Sequence, residues 1–161
     1  MNYNDMKLLA MNPHFYALLI RGFLSGYGSA CEIKLAFIAI TILINADTRK
    51  PLKTANRNSR FETLYGSGHT FYQESVSGKA LFAGFAAQYR IVSPYVRKAI
   101  IILCSEGKAS LSGNKLVCSS PIDFHDYTES TKAWIKSAFY LGKIMRKSSK
   151  ATISLYCGVD L

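Results

Sequence analysis

Acidic residues are scarce: ten Asp and Glu stand against twenty Lys and Arg in 161 residues, for a formal charge of +10 and a pI near 9.5. That imbalance favours an anionic partner, whether nucleic acid, an acidic protein face or a membrane surface. Long apolar runs are missing too. The longest uncharged one, Leu35–Ile44, has ten residues, whereas a membrane-spanning helix needs about 20. It reads as a buried core helix. The opening segment carries Asp5 and a helix-breaking Asn12-Pro13 where a secretory signal would place basic and then apolar residues. Cys31, Cys104, Cys118 and Cys157 form no CxxC pair and have no histidine at ligand spacing, so they read as reduced core thiols. The expectations are a cytoplasmic protein with no membrane contact, no metal and no other cofactor.

Catalytic motifs are equally absent. There is no HExxH, no HxE…CxxC, no GxSxG and no phosphate-binding GxxxxGK[ST]. His14, His69 and His125 lie far apart, and His125, flanked by Asp123 and Asp126, has no nucleophile in view. Gly26-Tyr27-Gly28 and Gly66-Ser67-Gly68 read as turns. The pairs Ser105–Lys108, Ser112–Lys115 and Ser130–Lys132 fall in turn or surface contexts. No catalytic residue is assigned, and the chain is expected not to be an enzyme.

What is present is ample core material: 49% hydrophobic and 12% aromatic residues at a mean hydropathy of +0.09. A chain of this length buries roughly 70% of its extended surface, enough to fold without disulfides. Asn12 is a good N-cap and Pro13 a good first residue for a helix with Phe15, Leu18, Leu19, Gly22 and Phe23 on one face and Gly26 as its stop. A second helix covers Ile33–Asn45, and 47–60 reads as a polar loop around Pro51. A short helix follows Asn58 or Ser59, and another covers Ser77–Tyr89, burying Leu81, Phe82, Phe85 and Ala86. Ser93 then caps a helix opened by Pro94, with Val96, Ala99, Ile100 and Leu103 inside and Gly107 at its end. Gly113-Asn114 is a two-residue hairpin turn that sets Leu111 opposite Leu116. A helix over Thr128–Arg146, with Ala133, Trp134, Ser137, Ala138, Leu141 and Ile144 or Met145 inside, and one over Ala151–Cys157 complete the chain. The expected class is mainly α with a small β-hairpin: a winged helix-turn-helix-like single domain, 1–161, of six or seven helices. Within it the helical N-terminal part covers about 12–90, the helix and wing-like hairpin about 93–118, and the C-terminal helices about 128–158.

The remaining chemistry is cationic. Arg49, Lys50, Lys53, Arg57 and Arg60 form one cluster with no acid inside it after Asp47. Lys132, Lys136, Lys143, Arg146, Lys147 and Lys150 form another, with no acid between Glu129 and Asp160. A solvated face explains such clusters as simply as phosphate binding does. The candidate nucleic-acid contacts are Arg97, Lys98, Lys115, Lys143, Arg146, Lys147 and Lys150. Ile100-Ile101-Ile102-Leu103 on the would-be recognition helix suits backbone contact or protein docking better than base readout.

The ordered run of MNPHFYALLIRGFLSGY, LAFIAITILI followed by TRKPL, YRIVSPYVRKAIIIL with its hairpin, and FYLGKI…ATISLYCGVDL resembles one family from Met11 to Leu161. It is the middle component of bacterial three-component ABC-ATPase systems, which resemble anti-phage defence machines with an SMC-like ATPase. Thr41 and Asn45 depart from that family's core-helix pattern, and Phe61 or Tyr65 replaces an expected tryptophan. The resemblance implies a non-catalytic adaptor that bridges the SMC-like ABC ATPase and an effector-linked third component, with DNA contact and homodimerisation left open. The alternative from the residues alone is a freestanding winged-helix DNA-binding regulator.

Overall fold

A computed structural model describes residues 11–66, 69–71, 74–76 and 78–161. The first helix, α1 (Pro13–Tyr27), begins as its residues dictate. The Asn12 side chain accepts hydrogen bonds from the amides of His14 and Phe15, and Pro13 occupies the first turn. Its stop is Gly28, not Gly26. Gly28 has φ of 72° and donates its N–H to the Leu24 carbonyl, whereas Gly26 lies buried inside the helix. The buried face is also wider than the predicted stripe, taking in Tyr16, Ala17, Ile20 and Leu24 as well, because α1 is packed from two sides.

A two-residue strand, β1 (Cys31–Glu32), runs directly into α2 (Ile33–Ile44). Every residue from Leu35 to Leu43 in α2 is buried, and the Thr41 hydroxyl donates to the Phe37 carbonyl at 2.9 Å, so its burial leaves no orphaned donor. The predicted loop after it is largely helical. Asn45 caps a single turn, α3 (Ala46–Arg49), which passes into a 3₁₀ segment, Lys50–Thr54. Pro51 belongs at the start of that segment, where a missing N–H does no harm. Next come α4 (Phe61–Tyr65), ended by Gly66, and the antiparallel pair β2 (His69–Phe71) and β3 (Glu74–Val76). Ser67, Gly68 and Ser77 lie outside the described residues.

The two helices expected around Ser93 are one. After a 3₁₀ segment, Gly78–Phe82, the left-handed Gly84 opens α5 (Phe85–Ser105), which continues through Pro94. Ser93 is therefore no cap, and its hydroxyl donates to the Tyr89 carbonyl at 2.5 Å. Pro94 is exposed, as is Arg90 one turn earlier, the residue whose carbonyl loses its donor at the proline. The single helix turns Phe85, Val92, Val96, Ala99, Ile100 and Leu103 inward and leaves Ala86 exposed.

The hairpin follows expectation. β4 (Ala109–Ser112) and β5 (Lys115–Cys118) pair with Leu111 opposite Leu116 around Gly113 at φ of 60°. β1 adds to β5 to give the order β1–β5–β4, with Cys31 opposite Leu116. α6 (Glu129–Lys147) and α7 (Lys150–Cys157) close the chain, α7 ending at Gly158 as expected. In α6 the inward positions are Ile135, Ser137, Ala138, Leu141, Gly142, Ile144 and Met145; Ala133 is exposed and Trp134 half-buried. The class is thus mainly α: the described residues form seven helices, a three-stranded antiparallel sheet and the β2–β3 pair. Among the described residues no helix is long and apolar enough to cross a membrane. The four cysteines are unpaired.

α1 and α6 approach each other backbone to backbone. A Cβ added at Gly26 would lie 1.8 Å from the Phe139 carbonyl oxygen, and one at Gly142 would lie 2.1 Å from the Phe23 carbonyl oxygen. At Gly22 the nearest atom is a side-chain methyl of Ile135, at 3.3 Å. Gly26→Ala and Gly142→Ala are therefore each expected to destabilise by about 3 kcal/mol, with urea unfolding followed by circular dichroism as the measure. Gly22→Ala should change stability by less than about 1 kcal/mol, since the gain in helix propensity offsets the squeeze. Wild-type stability in the first two variants would show that the crossing is looser than this geometry.

Burial pushes the thiols of Cys31 and Cys157 up from 9.0 to about 12, and the phenol of Tyr65, wholly enclosed, further still. These groups keep their protons in the fold after the unfolded chain has lost them. Their contribution is complete below the unfolded-chain values and is lost as pH rises through the window from 9.0 to about 12. Urea midpoints should hold steady from neutrality to about pH 9 and then fall. A Cys31→Ala, Cys157→Ala double variant should fall less steeply over that window.

Candidate functional site

The two basic clusters, far apart in sequence, meet in space. The Lys147 ammonium donates to the Arg57 carbonyl at 2.7 Å across 90 residues. Closer to the start of α6, Arg49 and Lys53 face Trp134, Lys136 and Tyr140 across a cleft of about 440 Å³. Leu52, Ala55, Ala133 and Ser137 complete most of its lining, and none of the lining residues is acidic. The spacing of Lys132, Lys136, Tyr140, Lys143 and Lys147 puts them on one stripe of α6, with the cleft at its N-terminal end.

Arg49 is the most constrained member of the cleft. Its guanidinium stacks on Trp134, 3.8 Å from the ring centroid, and donates to the Leu43 carbonyl at 2.7 Å. Burial lowers the affinity of this group for its proton. Phe15 of α1 meets the Trp134 ring edge-on at 5.3 Å, so α1, α3 and α6 together hold the indole. Lys53 and Lys136 are exposed at the rim, as are Lys50, Arg57 and Arg60 along the same segment.

The C-terminal cations divide between surface and scaffold. Arg146 donates to the Tyr27 carbonyl at 3.0 Å. Contacts advance in parallel along α1 and α6, from Phe15 with Trp134 through Gly26 with Phe139 to Tyr27 with Arg146, so both helices end at the same place. Two negative helix ends lie side by side there, and Arg146 and Lys147 supply the compensating charge. Lys150 forms an ion pair with Glu32, an acid that the local sequence around Lys150 gives no hint of. Lys143 lies over the Phe139 ring at 5.1 Å.

Arg97 and Lys98 are exposed on α5, and Lys115 is exposed on β5 opposite Ser112. On the same solvent side of α5, Ile91 and Ile101 are bare at 67% and 66% exposure. Both values exceed those of Leu111 and Val117 on the hairpin, at 51% and 37%. Helical spacing aligns Arg90, Ile91, Pro94, Arg97, Lys98 and Ile101 along one ridge, and no acid occurs between Glu74 and Glu106. Only the apolar character of residues 100–103 signalled this ridge in the sequence, because the expected break at Ser93 hid its length. Trp134, expected on the inner face of its helix, packs against the core while half-exposed, and the cleft it lines joins segments that no local pattern connects.

His14 and His125 lie on separate parts of the surface. On the open surface the His125 amide donates to the Asp123 carboxylate at 3.0 Å and the His125 ring at 2.6 Å, and these bonds hold that carboxyl below its usual range. His14 is exposed in the first turn of α1, and the side chain of His69 lies outside the description. Among the described residues no group of His, Cys, Asp or Glu could hold a metal ion.

Comparison with known proteins agrees with the order of motifs along the chain. No curated protein and no solved structure matches. A family model described as ABC-three component (ABC-3C) system Middle Component 3 matches residues 3–161. The chain belongs to that family of middle components.

Proposed function

We propose that this protein is a non-catalytic adaptor, one domain over 1–161, that links an SMC-like ABC ATPase to an effector-linked component of a phage-defence assembly. Family membership supports a role beside other components of such a system. The observation that carries the docking part of this reading is the α5 ridge, with two bare isoleucines beside Arg90, Arg97 and Lys98. Exposed isoleucines of this size gain from burial against a protein surface and gain little from a phosphate backbone. The ATPase is the partner assigned to this ridge.

The experiment is co-expression with the ABC ATPase and third component encoded beside it, followed by size-exclusion chromatography. A joint peak is expected. Ile91→Asp with Ile101→Asp should release the ATPase while leaving unfolding within about 0.5 kcal/mol of wild type, as surface substitutions do. Separate elution of the unmodified proteins would overturn the adaptor reading.

In this reading DNA contact falls to Lys143, Arg146, Lys147 and Lys150, the last three exchanging internal partners for phosphate. A second reading, the freestanding winged-helix regulator, draws support from the strand order β1–β5–β4 after a helix–strand–helix beginning. It assigns DNA to Arg97, Lys98 and Lys115. Salt titration on duplex DNA separates the two, since each phosphate contact contributes about 0.9 to the log–log slope. If the C-terminal residues bind, the slope is steeper than about −3 and alanine at those four flattens it. If the regulator reading holds, alanine at Arg97 and Lys98 shallows the slope by about 2. A flat slope for the unmodified protein ends both DNA assignments.

A further inference from the structure

Arg49 presents an unbalanced account of charge. Its guanidinium has five N–H donors. One goes to the Leu43 carbonyl, and the ring of Trp134 covers one face of the group. No carboxylate pairs with it among the described residues, although it is withdrawn from much of the solvent. A cation placed so is stabilised when an anion arrives beside it. The rest of the cleft repeats the pattern. Lys53 makes no ion pair or hydrogen bond among the described residues, and Lys136 has only the longer-range field of Glu129. Glu129 itself is held by Lys132 at 2.9 Å.

The floor between these cations is apolar, made by Leu52, Ala55, Ala133 and Trp134. We propose that the cleft docks an acidic, apolar segment of a partner protein. Its apolar side chains would lie on that floor, and its carboxylates would pair with Arg49, Lys53 and Lys136. The volume, about 440 Å³, falls within the range of sites that enclose a few side chains rather than a folded face. Nucleic acid fits less well. A base stacks on an open aromatic face, and at Trp134 Arg49 already occupies one face while Phe15 meets the ring edge-on. This proposal rests on the adaptor reading for the existence of a partner, and it concerns a surface separate from the α5 ridge.

Trp134 is the only tryptophan in the chain, so its fluorescence reports on this cleft alone. The full-length protein is titrated at low salt with a short synthetic peptide alternating glutamate and leucine, with its glutamine counterpart, and with oligothymidylate. The expected result is a saturable change in Trp134 emission with the glutamate peptide, and binding at least about tenfold weaker for the glutamine peptide. Lys53→Glu with Lys136→Glu, both at exposed positions, should weaken the glutamate peptide by about tenfold or more with circular dichroism unchanged. No saturable change, equal binding of the two peptides, an unaffected double variant, or tighter binding of oligothymidylate would each overturn the proposal. If the neighbouring components co-elute with the protein but the peptide fails to bind, the cleft assignment alone falls. If the peptide binds but no complex forms, the adaptor reading falls.

Discussion

The contact on which the rest of the architecture depends is the crossing of α1 and α6 at Gly26 and Gly142, where backbone meets backbone without intervening side chains. Such closeness fixes the rotation of α6 about its own axis as well as its position. That rotation turns Ile135, Ala138 and Leu141 into the core and leaves Trp134 and Lys136 toward α3 and the 3₁₀ segment. Because the two helices run in the same direction, their carbonyl ends converge. The cations at the end of α6 are then part of the fold as much as of the surface.

This changes the meaning of the basic excess. A count of twenty Lys and Arg suggests a uniformly attractive surface for polyanions. The structure sorts them. Arg49, Arg146, Lys147 and Lys150 each engage a carbonyl, ring or carboxylate of the chain, the last three from exposed positions, and Lys98 lies over the Tyr95 ring at 5.9 Å, while Arg97 on α5 and Lys53 and Lys136 at the cleft face outward. The outward ones accompany apolar groups: bare isoleucines on α5, and Trp134 with Leu52 in the cleft. Mixed surfaces of that kind are better suited to protein association than to tracking a phosphate backbone. The aromatic group of Phe61, Tyr65, Phe82 and Tyr156, with ring centroids 4.8 to 6.1 Å apart, fastens α4, the 3₁₀ segment Gly78–Phe82 and α7 together.

Features decided within a few residues were legible in the sequence. Asn12-Pro13 opens α1, Gly113-Asn114 turns the hairpin and Gly158 stops α7, each by capping or turn chemistry that needs no distant partner. The features that escaped depend on tertiary company. Gly26 looked like a helix stop because glycine commonly is one; its actual role is to admit the Phe139 backbone. Ser93-Pro94 looked like a helix start, yet the helix runs on through it with Val92, Val96, Ala99 and Ile100 packed into the core on either side. β1 is too short to show an alternating pattern and exists because β5 is already paired beside it. The cleft was invisible for the same reason, since α3 and α6 carry no local sign of each other.

The hairpin has one further property. The amide of Ile33, first residue of α2, whose stretch from Leu35 to Leu43 is buried throughout, donates to the carbonyl of Asn114 in the hairpin turn at 2.8 Å. The tip of the sheet is therefore latched to the innermost rod of the molecule. A slip of one residue in strand pairing would present the wrong carbonyl to that amide, so misregistered hairpins are penalised at a point remote from the strands themselves. For the same reason a load applied to the hairpin is borne by the middle of the protein, and this loop does not behave as a free arm.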